Sequence, residues 1–488
     1  MTEQATPSNL VAKQAFLAAR TCVTQGWHVH HAEAEVPGFG LKWRFWTGQD
    51  VGRRARDWLG DGLMLRRTPV DLAAADTRTA IDAGEPLIFE ATFVWNGLVA
   101  RADALRRTGD GWDLIEIKSG KSKDETLNDE YLDDIAYTRC VAEAAGLTIR
   151  NAELVLINGD YTLGGAADMF TAVDVSADSA ARAASFRADA GAIAAGVAGD
   201  ARPEPEYRFE CKDCDFFRTD CVGVGVPDPL FMLPRLSRKR FEAMKEYRRV
   251  SHLPPDAELT EAQQRVADVI RSGVPHLRHD GLEVLDRIVW PARYLDFETV
   301  NPHLPWFEGK GPYAMEPFQY SIHVLDAPDA EPRHHEYLAS HDGDWRRELV
   351  EQMLTHLGTS GSIIVYSSFE KGRIKALAAD CPDLERELSA LLPRLVDLEE
   401  AFKKGYVHPG FGGRTSIKKV LPVMVDDVGY KGLPVNNGDD ALGLFALMRV
   451  GEIDPDEYAR HRKNLLAYCQ LDTWAMVRLH AALIALRG

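Results

Sequence analysis

Asp296 and Glu298 stand two residues apart in an apolar stretch of the second half of the chain. Their neighbours Tyr294, Leu295 and Phe297 favour β-structure, which predicts a short buried strand. Side chains two residues apart on a strand point to the same face, where two buried carboxylates repel each other unless a cation lies between them. Magnesium or manganese suits a site built from oxygen atoms alone. A sheet edge that exposes both acids to water is the alternative, and this pair by itself leaves it open.

A second set of acids lies in the first half of the chain, on a segment with strong hairpin signals. Two β-patterned runs, Leu87–Trp95 and Leu98–Leu105, flank Asn96-Gly97, a dipeptide typical of a two-residue hairpin turn. A glycine-rich turn then leads into a third run, Trp112–Lys118. The pattern predicts a three-stranded antiparallel meander.

The meander places acids and a lysine on adjacent strands. Glu116 and Lys118 are two residues apart and share a face of the third strand. Asp103 lies on the neighbouring strand and Glu90 on the strand before it. Metal-dependent hydrolysis of a phosphodiester needs such a set, because the carboxylates hold the ion and the lysine orients the water and offsets phosphate charge. An exposed, salt-bridged sheet face remains the alternative.

The motif around these residues, RADAL followed by LIEIKSG, resembles the core of the PD-(D/E)XK nucleases in their RecB-like branch. Tyr131–Tyr137 (YLDDIAY) resembles the helix that this branch places beside its active site. The resemblance implies metal binding by Asp103 and Glu116, with Glu90 as a supporting metal ligand, and catalysis by Lys118. Many members carry a metal-binding histidine on an early helix, whereas this chain offers only glycines in the corresponding region.

Four cysteines form a second candidate metal site. Cys211, Cys214 and Cys221 lie within eleven residues, and Cys22 precedes the meander. Four thiolates suffice for zinc or for an iron–sulfur cluster, and their spacing does not choose between the two. The order of one cysteine before the core and three after it resembles a subgroup of RecB-like nucleases that includes CRISPR-adaptation nucleases. That resemblance implies a [4Fe-4S] cluster on these four residues, with Zn²⁺ as the alternative.

The second half continues from the Asp296 strand with alternating strands and helices. Three antiparallel strands followed by helix, strand and helix is the order of the RNase H-like fold. The predicted elements are Arg293–Val300, Pro317–Leu325, Arg333–Ala339, Trp345–Leu357, Ser362–Tyr366 and Arg373–Ala379.

Three short motifs of this half resemble those of the DEDD exonucleases in their tyrosine variant. They are Asp296-x-Glu298, Phe369-Glu370 at the end of a predicted buried strand, and Tyr468-x-x-x-Asp472 on one face of a predicted helix. The resemblance implies that Asp296, Glu298, Glu370 and Asp472 hold two Mg²⁺ or Mn²⁺ ions. It implies that Tyr468 orients the attacking water. Glutamate replaces the usual aspartate at 370.

Composition bounds the remaining choices. A length of 488 residues predicts two domains, and the absence of an apolar run or a basic leader predicts a cytoplasmic protein without membrane contact. A net charge of −17 argues against a protein that coats nucleic acid over its whole surface. A basic segment could still contact a nucleic-acid backbone. Its residues are Arg235, Arg238, Lys239, Arg240, Lys245, Arg248 and Arg249.

We therefore predict an α/β protein made of two α/β domains. Residues 1–225 form a PD-(D/E)XK restriction-endonuclease-like domain with the cluster cysteines, 226–289 a helical basic linker, and 290–488 an RNase H-like exonuclease domain. The predicted function is metal-dependent hydrolysis of nucleic acid, with DNA favoured over RNA. It combines 3′-5′ exonuclease action at the second site with endo- or exonuclease action at the first. The alternative is a nucleic-acid-binding scaffold with only the RNase H-like site active, on RNA. No repeat or coiled coil predicts an oligomer.

Overall fold

The computed structural model describes residues 10–33, 36–122 and 127–487. It contains several sheets and many helices, which confirms the prediction of a mixed α/β protein. The chain forms two compact units. The first comprises the described residues of Met1–Val36, Arg44–Val224 and His303–Tyr313. The second comprises the described residues of Pro37–Trp43, Gly225–Pro302 and Ala314–Gly488.

The first unit is built on a sheet of strand order β2-β3-β4-β5-β6-β7, with β1 paired to β4. Strands β3, β4 and β5 are antiparallel neighbours, so the predicted meander is present. Its first turn uses Asn96 (φ 47°) and Gly97 (φ 76°), the left-handed pair that a two-residue hairpin requires. The strands are β1 (Val11–Ala12), β2 (Leu63–Met64), β3 (Leu87–Trp95), β4 (Leu98–Thr108), β5 (Gly111–Lys121), β6 (Ile149–Ile157) and β7 (Phe170–Asp174).

The helices of the first unit pack on this sheet through an apolar core that includes Phe16, Tyr137 and Phe186. Cys22 takes an extended conformation (φ −154°, ψ 114°), which separates the first two helices of this unit. The helices are α1 (Lys13–Thr21), α2 (Val23–His31), α3 (Phe39–Leu59, from Arg44 on), α4 (Val70–Ala83), α5 (Asp129–Ala144) and α6 (Ser176–Ala198).

The second unit contains a five-stranded sheet of order β11-β10-β9-β12-β13. Strands β9, β10 and β11 are antiparallel, whereas β12 runs parallel to β9 and β13 parallel to β12. The strand that carries Asp296 is therefore central. The strands of this unit are β8 (His276–Leu277), β9 (Ala292–Val300), β10 (Glu316–Leu325), β11 (Arg333–Leu338), β12 (Ile363–Val365), β13 (Leu395–Asp397) and β14 (Tyr406–Val407).

Nine α-helices accompany these strands in the described part of the second unit. The last and longest of them contacts β9 and β10. They are α7 (Arg238–Met244), α8 (Glu261–Ser272), α9 (Arg346–Leu357), α10 (Phe369–Asp380), α11 (Glu385–Ser389), α12 (Glu399–Lys404), α13 (Ile417–Met424), α14 (Gly438–Arg449) and α15 (Tyr458–Arg487). Within the described ranges, no helix has the length and apolar character that crossing a membrane requires.

The segment predicted as a helical linker over 226–289 is helical only in α7, α8 and short 3₁₀ turns. Pro254-Pro255 separates the two helices, as expected for residues that cannot continue a helix. The segment belongs to the second unit. Its basic charge is partly compensated, since Arg249 pairs with Asp228 at 2.6 Å and Lys245 with Glu242 at 2.9 Å.

Candidate functional site

The strand β9 carries Asp296 and Glu298 in the middle of the second unit's sheet. Its register places Asp296 opposite Ser321 and Glu298 opposite Gln319 on β10. Glu298 is buried, so the predicted alternative of two acids at a solvent-exposed edge is wrong for this residue. Helix α15 covers this face, and the Cys469 thiol lies 3.8 Å from Oδ2 of Asp296.

Two further acids approach the pair from helices. Glu370 lies in the first turn of α10 rather than at the end of the preceding strand, and it is buried. Asp472 is buried on α15, one turn after the buried Tyr468. Asp296 interacts electrostatically with Asp472, Glu298 and Glu370. The structure therefore brings together the four acids that the sequence motifs predicted.

The four carboxylates are poorly compensated in the protein alone. Burial, and then the charges of the other acids, raise the pKa of Asp296 and that of Glu298 well above their ordinary values. Burial also raises the pKa of Glu370 to about 7, with a further contribution from Asp397, and the pKa of Asp472 to about 6. Such shifts arise when negative charges are gathered out of water without a cation between them.

This oxygen-rich set fits a hard divalent cation. Within the described residues, ligand atoms of Asp296, Glu298 and Cys469 lie within 4.8 Å of one another. Oε2 of Glu370 is buried without a hydrogen-bond partner, so it is available as a ligand. Burial raises the pKa of the Cys469 thiol, as do the neighbouring acids, which disfavours a thiolate ligand at this site. Magnesium and manganese match such ligands.

Two residues at this site were missed by sequence reasoning. The Tyr430 hydroxyl donates a hydrogen bond to Oδ1 of Asp472. The Lys418 ammonium lies 3.2 Å from the Tyr468 hydroxyl and donates to the carbonyl oxygen of Asn436 at 2.8 Å. Lys418 lies in the segment TSIKK, whose sequence pattern does not single out this residue. A pocket of about 190 Å³ is lined by Asp296, Phe297, Glu298, Tyr366, Ile417, Lys418, Tyr468, Asp472 and Met476.

In the first unit, the meander brings together Asp103, Glu116 and Lys118 of the predicted set. Oδ2 of Asp103 accepts a hydrogen bond from the backbone N–H of Ile117 at 2.7 Å. The Lys118 ammonium lies 3.0 Å from Oε1 of Glu116, which is buried. Burial, and then the charge of Glu116, raise the pKa of Asp103 to about 7. The sheet therefore holds Asp103, Glu116 and Lys118 as one cluster.

Two residues complete this cluster without having been predicted. Lys13 of α1 places its ammonium 2.7 Å from Oε1 of Glu116 and 3.4 Å from Oδ2 of Asp134. Asp134 of α5 also pairs with Lys118. Burial alone would raise the pKa of Glu116, but the ammonium groups of Lys13 and Lys118 outweigh it and lower the pKa to about 2. Three carboxylates therefore face two ammonium groups.

Glu90 faces a different set of partners. Its backbone has φ 61°, between Phe89 and Ala91, which pair with β4 on either side of it. Its carboxylate lies 3.4 Å from Nε of Arg67 and 3.9 Å from a guanidinium nitrogen of Arg56. Arginine pairing supplies the positive charge that a metal would otherwise bring, so the role of Glu90 as a metal ligand stays a prediction without geometric support.

We expect Lys13→Met to increase the affinity of the first cluster for manganese at least tenfold. The substitution leaves Glu116 and Asp134 short of one counter-ion, and a divalent cation compensates them better than water does. In the presence of a chelator, the same variant should lose about 3 kcal/mol of unfolding free energy, since one partner of a buried pair has been removed. Manganese titration followed by calorimetry, in an Asp296→Asn background, measures this.

Arg20→Met is the matched control for that experiment. Arg20 lies on the same helix, but it pairs with the exposed Asp189 at 2.6 Å. Equal manganese affinities of Lys13→Met and Arg20→Met would contradict the interpretation of Lys13 as a counter-ion.

The four cysteines predicted as a cluster site gather in the first unit. Burial raises the pKa of Cys211 to about 11, and each of the other three adds to the shift. Cys22 lies at the break between α1 and α2, where Arg208 donates to the carbonyl oxygen of Thr21 at 2.7 Å. The backbone N–H of Arg208 points at Sγ of Cys211 at 3.4 Å. Among the described residues, which include all four cysteines, no three of these sulfurs lie within 4.8 Å of one another.

Comparison with known proteins gives relatives without an assigned activity. The chain is 26% identical over 208 residues to the uncharacterized protein MG366 homolog of Mycoplasma pneumoniae, an alignment that covers 38% of this chain. It spans 31% of the length of that relative. No solved structure matches the chain. Residues 293–416, which include Asp296, Glu298 and Glu370 of the second site, match the family model described as a domain of unknown function (DUF2779).

Proposed function

We propose that this protein is a divalent-metal-dependent nuclease whose second unit removes nucleotides from the 3′ end of single-stranded DNA. The observation that carries the proposal is the convergence of four carboxylates with raised pKa values, three of them buried, beside a pocket that one lysine also lines. Burying so much negative charge destabilises the fold, which indicates that the charge serves a function. Binding cations is the function that such a site serves best.

The order of the sheet supports an RNase H-like interpretation of this unit. Three antiparallel strands are followed by two parallel ones on the side of β9, and the acids lie on the central strand and on two helices. A likeness of topology alone would not imply an activity. The position of the four acids on this sheet supports the proposed activity, in addition to the topology.

The residues of the site have different roles in the proposed hydrolysis. Metal ions held by Asp296, Glu298, Glu370 and Asp472 would activate water and stabilise the incoming and leaving oxygens. Tyr468 orients the water through its hydroxyl, while Tyr430 keeps Asp472 in place by its hydrogen bond. The apolar residues that line the pocket, Phe297, Ile417 and Met476, limit the access of bulk water.

For the first unit, we propose a PD-(D/E)XK-type nuclease site at Asp103, Glu116 and Lys118, with the four cysteines holding a [4Fe-4S] cluster. The convergence of acids and lysine supports the first proposal. The gathering of the four cysteines in the first unit supports the second, with Zn²⁺ as the alternative metal. The alternative is a scaffold with only the second site active, and the position of Lys13 beside Glu116 favours it.

Digestion by the full chain in manganese separates the two sites. A linear single-stranded DNA reports on trimming from the 3′ end, whereas a circular one has no end and reports on internal cutting. We expect Asp296→Ala to lose the trimming and Lys118→Ala to keep it. If Lys118→Ala loses the internal cutting that wild type shows, the first site is active. If wild type itself shows no internal cutting, the result supports the alternative of a scaffold with only the second site active. Wild type that cuts neither DNA nor RNA contradicts the nuclease proposal.

Purification without oxygen tests the cysteine site. We expect about four iron atoms and four sulfides per chain, with the visible absorption of an iron–sulfur cluster. Cys211→Ser should lose both, since it removes one of the four thiolate ligands. Cys140→Ser is the control, because Cys140 is buried in the apolar core beside Tyr137 and Val141. Zinc without iron would contradict the cluster.

A further inference from the structure

Lys418 is the one basic residue among those that line the pocket of the second site. It lies in the first turn of α13, and its ammonium sits over two aromatic rings, 5.0 Å from the centre of Tyr430 and 5.1 Å from that of Tyr468. The ammonium is also 3.2 Å from the Tyr468 hydroxyl. Both tyrosines and the acids therefore surround a single cation.

The donor inventory of these groups sets the direction of the hydrogen bonds. An ammonium can only donate, so the Tyr468 hydroxyl must accept from Lys418. The hydroxyl's own proton is then directed away from Lys418. Lys418 thus determines which way Tyr468 presents its lone pair and its proton.

One N–H of the ammonium remains for a ligand. The three donors of Lys418 have two acceptors among the described residues, the carbonyl oxygen of Asn436 and the Tyr468 hydroxyl. The residue also lines the pocket, so its remaining donor can meet a ligand there. An anionic ligand is the suitable partner for this donor, and a phosphate oxygen accepts it with a charge-assisted hydrogen bond.

We propose that Lys418 binds a non-bridging oxygen of the phosphate that joins the last nucleotide at the 3′ end of the nucleic acid. The same ammonium holds Tyr468 in the orientation that hydrolysis requires. This inference rests on the proposed function, and it names the group of the substrate that the pocket recognises. The acids alone would repel a phosphate. Lys418 adds a cation of the protein itself beside them.

Hydrolysis of a 3′-labelled single-stranded DNA in manganese tests the role of Lys418 in turnover. We expect Lys418→Met to lower kcat/KM about a hundredfold, the effect of removing one donor to a reacting oxyanion. Lys418→Arg should keep most of the activity because it keeps the charge. Lys419→Met is the matched control, since Lys419 is the exposed next residue on the same helix and should turn over like wild type.

A double-mutant cycle shows whether Lys418 acts through Tyr468. In a Tyr468→Phe background, Lys418→Met should cost less than in wild type, because the hydroxyl that it orients is already gone. If the double variant loses activity by the full product of the two single losses, the two residues act independently. That outcome would overturn the positioning role of Lys418. A residue that only supported the fold would show no such coupling to a single oxygen atom.

Binding of thymidine 5′-monophosphate in manganese gives a readout that does not depend on turnover. Calorimetry should show about tenfold weaker nucleotide binding to Lys418→Met, with manganese binding to the nucleotide-free protein retained. If wild type does not hydrolyse DNA but the nucleotide affinity still falls, the nuclease proposal fails while the phosphate contact stands. If Lys418→Met matches Lys419→Met in both turnover and nucleotide affinity, the inference about Lys418 is overturned.

Discussion

Asp472→Asn is expected to lower manganese-dependent trimming of single-stranded DNA about a thousandfold. Asp472 is buried on α15, and it accepts a hydrogen bond from the Tyr430 hydroxyl. The amide keeps the size of the side chain but removes the charge that attracts a divalent ion, which contributes several kcal/mol to the transition state. Single-turnover rates with a 3′-labelled oligonucleotide measure the loss.

Tyr430→Phe provides a graded comparison for that experiment. The variant removes only the hydroxyl that donates to Asp472, so we expect manganese affinity to fall about ten- to a hundredfold, as for other residues that hold a metal ligand in place. A high manganese concentration should restore most of the activity of Tyr430→Phe. The same concentration should not restore the activity of Asp472→Asn. Trimming by Asp472→Asn at the wild-type rate would show that the metal centre lies elsewhere.

The metal-free protein is expected to lose stability as the pH rises from about 4 through 7, and manganese should reverse the loss. The pKa of Glu370 is raised to about 7 and that of Asp472 to about 6, above their values in an unfolded chain. Folding therefore favours the protonated acids. Their stabilising contribution is complete below the unfolded pKa near 4 and disappears as the pH passes the folded pKa values.

Asp296→Asn isolates this effect from other titrating groups. With a chelator at pH 8, the variant should unfold about 5–10 °C above wild type, because one of four repelling charges is gone. At pH 4.5 the two should unfold at nearly the same temperature. Manganese at a hundred times its dissociation constant should stabilise wild type by about 2.7 kcal/mol and the variant by much less. A difference in unfolding temperature that does not grow with pH would contradict the charge cluster.

The two acid sites differ in how their charge is balanced. In the first, Lys13 and Lys118 contact Glu116 directly, so the cluster is stable without an added cation. In the second, Lys418 contacts a tyrosine and a carbonyl oxygen rather than a carboxylate. The second site therefore has the greater need for metal ions, which is why the expected effects of metal removal are largest there.

Local patterns in the sequence were enough to determine the elements and the motif residues. Apolar, β-favouring neighbours predicted the strand that carries Asp296 and Glu298, and Asn96-Gly97 predicted the hairpin of β3 and β4, because both depend on interactions among neighbouring residues. The face shared by Glu116 and Lys118 likewise follows from the period of a strand. The local pattern did not determine the exact place of Glu370, which lies in the first turn of α10, because the ends of helices and strands respond to packing.

Only the tertiary structure decided which distant side chains complete each site. Lys13 meets Glu116 across 103 positions of the chain, Tyr430 meets Asp472 across 42 and Lys418 meets Tyr468 across 50. No periodicity relates such pairs, because the packing of helices on a sheet sets their distance and the identity of one partner says nothing about the other. The sequence by itself thus determined that Asp296 and Glu298 form a pair of acids on one strand. The fold determined that Glu298 is buried and Asp296 half-buried, which acids join them, and that Lys418 is the cation in their pocket.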